Sequence, residues 1–121
     1  MFNIKKMNPH STNNEKLNSL IPEIKERIKK SFGDKVRKII LYGSYARGDY
    51  DKDSDVDILV IVDDSNLHHY RETRNELVSS LLNEYDLLFS IRINEESTFT
   101  EYKDIIPYYK NVVKEGIPLY G

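Results

Sequence analysis

No cysteine occurs among the 121 residues of this chain. That excludes disulfides, a thiolate nucleophile and a cysteine zinc site, and a reducing cytoplasm is the simplest setting. No apolar run approaches the roughly 18 residues needed to span a bilayer, so no membrane segment is expected. The opening MFNIKKMNPHSTNN lacks the apolar stretch of a signal peptide. Repeats and low-complexity segments are also missing. What is present, 39% hydrophobic and 31% charged residues, suits one globular domain with one core. The expected organisation is a flexible N-terminal segment, 1–14, followed by a single domain, 15–121.

The net charge of −2 hides an asymmetry. Residues 1–40 hold ten Lys/Arg against four Asp/Glu, a charge of +6, and residues 41–121 hold eight against sixteen, a charge of −8. The basic residues suit the solvated outer face of a helix. The acidic remainder argues against an extended nucleic-acid surface unless metal ions neutralise part of it.

Periodicity places the elements. Leu20, Ile21, Ile24, Ile28 and Phe32 keep the helical period, predicting a helix from Ser19 to Phe32 with Ser19 as cap and Gly33 as stop. A start near Asn13, with Pro22 as a kink, is the alternative. VRKIILY, 36–42, reads as a strand, and GSYARG, 43–48, as a tight turn around one helical turn. VDILVIV, 56–62, is a second strand, apolar enough to be covered on both faces. A helix over 67–84, a strand over 86–93 and partial helix over 97–116 follow, with Pro107 in the first turn of the last helix and Gly116 at its end. The fold class expected is α/β (α+β), a small mixed β-sheet with helices packed mainly on one face.

Five aspartates fall between Asp49 and Asp57. Asp55 and Asp57 stand at i and i+2, so a strand points both to one face. Two carboxylates held side by side repel each other, and a divalent cation between them resolves the conflict. Oxygen-only ligands favour Mg²⁺ or Mn²⁺, whose open positions phosphate oxygens fill. The preceding turn supplies anion donors. Gly43 lets backbone approach a phosphate, Ser44 offers a hydroxyl and an N–H, and Arg47 a fork of donors. The rival is a calcium loop, because Asp51, Asp53 and Asp55 have its 1, 3, 5 spacing. It fails where Val56 replaces glycine and Val62 replaces glutamate. Asp49, Asp51 and Asp53 read as loop. His68 and His69 read as surface residues. Tyr45 could stack on a base, although packing is the default for each tyrosine near the motif. Tyr102, Tyr108, Tyr109 and Tyr120 suggest a C-terminal contact face.

Gly43-Ser44, ten residues, then Asp55-Val56-Asp57 resembles the nucleotidyltransferase motif of the DNA polymerase beta superfamily. GSYARGDYDKDSDVDILV is similar to the minimal nucleotidyltransferase (MNT) proteins, which often pair with HEPN proteins in toxin–antitoxin modules. The core match covers 43–60. The resemblance implies a polymerase-beta-like nucleotidyltransferase fold and transfer of AMP from ATP, with release of pyrophosphate. It implies two Mg²⁺ ions on Asp55 and Asp57, and a third carboxylate on a later strand, for which Asp86 is the candidate and Glu84 the alternative. Gly43, Ser44 and Arg47 would bind the nucleotide. A partner or second subunit, by resemblance a HEPN toxin with an acceptor tyrosine, would complete the pocket. Two alternatives stay open: a small-molecule acceptor such as an aminoglycoside, and a non-catalytic subunit that neutralises a partner by contact.

Overall fold

A computed structural model describes residues 12–121. The expected flexible segment therefore falls largely outside the described residues, but its last three belong to the domain. Thr12 is fully buried and exchanges hydrogen bonds with Asn18, and the Asn14 side chain accepts from the Leu17 N–H at 2.8 Å. Asn14 is thus the cap of the first helix, α1 (Glu15–Phe32), and Ser19 lies inside it, its hydroxyl bonded back to the Lys16 carbonyl. The earlier start wins because it buries Leu17 and satisfies an end N–H. Pro22 sits exposed within the helix, where it removes one helix hydrogen bond without entering the core.

After Gly33 come β1 (Val36–Tyr42), α2 (Ser44–Arg47) and β2 (Val56–Val62). A 3₁₀ turn, His68–Tyr70, leads into α3 (Arg71–Tyr85), then β3 (Phe89–Glu95), α4 (Glu96–Tyr102), α5 (Pro107–Glu115) and β4 (Ile117–Tyr120). The sheet order is β3-β2-β1-β4, with β1 antiparallel to β2 and β4, and β2 parallel to β3. This is the expected mixed sheet, with one strand more than the sequence suggested: β4.

Period-2 alternation divides β2 between two cores. Val56, Ile58, Val60 and Val62 face the larger core, where α1 contributes Leu17, Ile24, Ile28 and Phe32, and α3 contributes Leu77 and Leu81. Leu59 and Ile61 face a smaller one with Phe99, Tyr109 and Val112 of α4 and α5. The two long helices share one face, as expected, and the short pair covers part of the other. Asp57 belongs to the Leu59 side, at the start of the strand, beyond the reach of the small core. The arrangement thus leaves one carboxylate-bearing corner of the sheet open. No described helix is long and apolar enough to cross a membrane.

Candidate active site

The site is built where β1 ends and β2 begins. Tyr42 and Asp57 are register partners across the two antiparallel strands, so Gly43 follows directly beside the Asp57 carboxylate. Gly43 adopts φ +76°, and a Cβ there would lie 2.2 Å from Asp57 Oδ2. Only glycine allows this approach, and the same bare backbone is what a phosphate would meet. α2 then closes with Arg47 N–H to Gly43 O at 3.0 Å and Gly48 in the left-handed region.

Asp55 and Asp57 are both half-buried, and neither accepts a hydrogen bond from any described residue. Burial raises the Asp57 pKa, and the charge of Asp55 raises it further, while Arg47 and Arg92 oppose the shift. Loss of water combined with a like charge marks a carboxylate held for something other than protein. An oxygen-only pair with no protein donor fits a hard divalent cation that takes its other ligands from water and phosphate.

The pair and the turn are brought together as expected, but Asp86 is not. It does not open β3. It is exposed and forms the C-cap of α3 at φ 55°, ψ 38°, and Leu87 and Leu88 intervene before the strand. The residue facing Asp57 on β3 is Ser90. Glu84 is engaged elsewhere, paired with Arg27 between α3 and α1. Among the described residues, no three His, Cys, Asp or Glu side chains gather to hold a metal ion.

Two site residues, Glu115 and Arg92, were not expected from the sequence. Glu115, at the end of α5, accepts from the Gly43 N–H at 3.2 Å and from Arg47 Nη1 at 3.1 Å, the very donors read as an anion cradle. A carboxylate thus occupies the place proposed for a phosphate. Arg92 projects on the Asp57 side of β3, its guanidinium 4.9 Å from the Tyr108 ring centroid. The Tyr108 hydroxyl donates to Tyr42 at 3.0 Å, and burial raises the pKa of both phenols. The polar alternation of Ser90, Arg92 and Asn94 could have marked Arg92. Nothing pointed to Glu115 without β4.

Other candidates resolve as structure. Tyr45 is buried and stacked on Tyr50 at 4.3 Å, so it faces the core and not a base. Asp49 pairs with Arg47, and Asp51 closes its own loop by accepting the Asp53 N–H. His69 contacts Asp64 beyond the far end of β2. Of the C-terminal tyrosines, Tyr109 is core, and Tyr120 lies beneath the Lys29 ammonium.

Comparison with known proteins identifies the family and the fold. The family model described as Nucleotidyltransferase domain matches residues 21–120. Two chains of Methanocaldococcus jannaschii named as protein adenylyltransferases are each 36% identical to it. The first aligns over 74% of this chain and 91% of its own, the second over 83% and 94%. The protein adenylyltransferase MntA of Thermococcus cleftensis is 46% identical over a shorter stretch, 38% of this chain and 44% of its own. The fold is shared with a chain of a toxin–antitoxin crystal structure with AMP-PNP, at TM-score 0.55 and 24% identity, over 84% of this chain and 73% of that one. A chain of a variant MntA–HpeT toxin–antitoxin structure matches with the same TM-score and coverage at 22% identity.

Proposed function

Because the chain belongs to the nucleotidyltransferase-domain family, we propose that it transfers AMP from ATP to a hydroxyl of a partner protein, a HEPN-type toxin. The observation that carries this reading is the bare Asp55–Asp57 pair beside the Gly43 backbone. The protein-adenylyltransferase names of its relatives favour ATP as donor and a protein as acceptor.

Gly43, Ser44 and Arg47 hold the triphosphate, and Glu115 releases the Gly43 N–H and Arg47 as it enters. Asp55 and Asp57 would hold Mg²⁺, which would supply charge neutralisation to the transferring phosphoryl group. Arg92 stands on the same face and offers a further cation to developing negative charge. The acceptor oxygen forms a bond to the α-phosphorus, the bond from that phosphorus to the bridging oxygen breaks, and pyrophosphate leaves. The acceptor proton passes to solvent or to a carboxylate of the pair. The protein contributes position and electrostatics, with no covalent intermediate on the chain. Asp55 and Asp57 are the carboxylates that would hold the ion in this scheme, and Asp86, exposed at the α3 C-cap, has no part in it.

The test is transfer of label from α-labelled ATP to protein in a lysate of the host, by wild type and by Asp55→Asn/Asp57→Asn. Labelled protein with the wild type and none with the double variant is expected. Labelling by the double variant would remove the carboxylates from the mechanism. Label on a small molecule alone would move the acceptor to the aminoglycoside class. Neutralisation of the partner by the double variant would make contact, not chemistry, the function.

A further inference from the structure

The six arginines of the chain fall into two groups. Arg27 pairs with Glu84, Arg37 with Asp63 and Glu96, and Arg47 with Asp49 and Glu115. Arg71, Arg74 and Arg92 have no carboxylate within 4.0 Å among the described residues. These three line a single region. Arg74 and Arg92 border a groove of about 520 Å³ between α3 and β3, and Arg71 and Arg74 border its neighbour of about 320 Å³, which ends at Ile93. In a segment of charge −8, three of the eight cations border this region without a carboxylate partner among the described residues, although Arg92 also stacks on Tyr108 and Arg71 contacts His68.

The region follows an open strand edge. β3 and β4 are the two edges of the sheet. β4 is four residues long and carries Pro118, two devices that blunt an edge. β3 has seven residues and no proline. Its outer edge offers backbone N–H and C=O groups at strand spacing, and Ser90 on it stands beside Asp57.

We propose that an extended, acidic segment of the acceptor protein adds to β3 as a fifth strand, with its carboxylates on Arg71 and Arg74 on the α3 face of the sheet, and that this docking delivers the acceptor hydroxyl to Asp57 on the other face. The proposal rests on the transferase reading above and names how that site finds its substrate. A polypeptide is favoured over a nucleic acid because only it matches the backbone edge, and because the acidic body around the region repels a long polyanion. A second copy of this chain is disfavoured because two β3 edges would bring arginine against arginine.

The probe is a fluorescent peptide as long as β3, alternating glutamate with valine around a central tyrosine, added to the full chain with Mg²⁺ and ATP. Saturable binding is expected, with amide-exchange protection concentrated in Phe89–Glu95. Arg71→Glu/Arg74→Glu should bind at least about tenfold more weakly. Arg71→Gln/Arg74→Gln should fall between, which guards against a misfolded reversal variant. Absence of binding, or equal binding by all three proteins, would overturn the proposal. So would displacement of the peptide by a single-stranded oligonucleotide of equal charge, or β3 protection that grows with protein concentration without peptide. ATP binding is read in the same samples. Its absence in wild type would end the transferase reading while leaving peptide docking to stand, whereas intact ATP binding without peptide binding would sink the docking alone.

Discussion

Aspartates stand at both ends of β2 in opposite condition. Beyond its C-terminal end, Asp64 is saturated by His69 Nε2 at 2.6 Å, the Asn66 N–H at 2.9 Å and the Tyr70 hydroxyl at 2.8 Å. Those bonds, led by His69, hold its carboxyl far below the usual carboxylate range. At the N-terminal end, Asp57 receives nothing from described protein, and burial pushes its carboxyl up. One strand thus has one acid that completes the fold and one that the fold leaves incomplete. Domains satisfy their half-buried polar groups wherever nothing else is to meet them, so the unsatisfied end is the functional one.

The largest expected effect separates the two by activity. Asp57→Asn should lower AMP transfer by at least about a thousandfold, while Asp64→Asn stays within a few-fold, both read by pyrophosphate release. An equal loss in a well-folded Asp64→Asn would erase the distinction. Stability should rank them the other way. Asp64→Ala should lose several degrees of Tm in a calorimetric scan, and Asp57→Asn should lose none. A smaller effect concerns the cradle. Glu115→Gln removes a charge that competes with phosphate and should tighten ATP binding on the order of threefold. Weaker binding by calorimetry would instead make Glu115 a brace for Gly43.

The smallest effect is in pH. The Asp64 pKa is lowered by folding, so its stabilisation is present above the ordinary value of 3.8 and disappears as pH falls toward the lowered one. The Asp57 pKa is raised by folding, so its contribution is present below 3.8 and is lost as pH rises through the raised value. Urea midpoints in EDTA should therefore decline with rising pH over that window in wild type and less so in Asp57→Asn. Equal slopes would show that Asp57 titrates normally.

Much of this was legible in the sequence because it depends on near neighbours. The i, i+2 carboxylates needed only a strand, and the near-continuous apolar run of 56–62 supplied one. The Gly43 turn needed only its two glycines. The failures arose where distant residues decide. Ile117-Pro118-Leu119-Tyr120 is too short and too proline-bearing to read as a strand, and exists as β4 because β1 has an edge to offer. Missing it hid Glu115, which reaches Gly43 only because Gly116 turns the chain back onto β1. A Cβ on Gly116 would meet the Val112 carbonyl oxygen at 2.3 Å. Asp86 misled for a different reason. An acid before LLFSIRI looks like a strand opening, but Asp is among the few residues that tolerate the left-handed helix cap, and its local conformation outweighed the pattern.

The contact between Gly43 and Asp57 makes the site genetically brittle. A methyl at position 43 falls onto the carboxylate oxygen and strains the backbone at once, so Gly43→Ala disarms cradle and ligand together. The carboxylate can swing aside only by leaving the place from which it would hold a metal ion, and φ +76° strains any side chain at 43 regardless. Lineages that lose activity at this position would recover it only by direct reversion, and an experimenter gains a one-residue off state that leaves both aspartates in the chain.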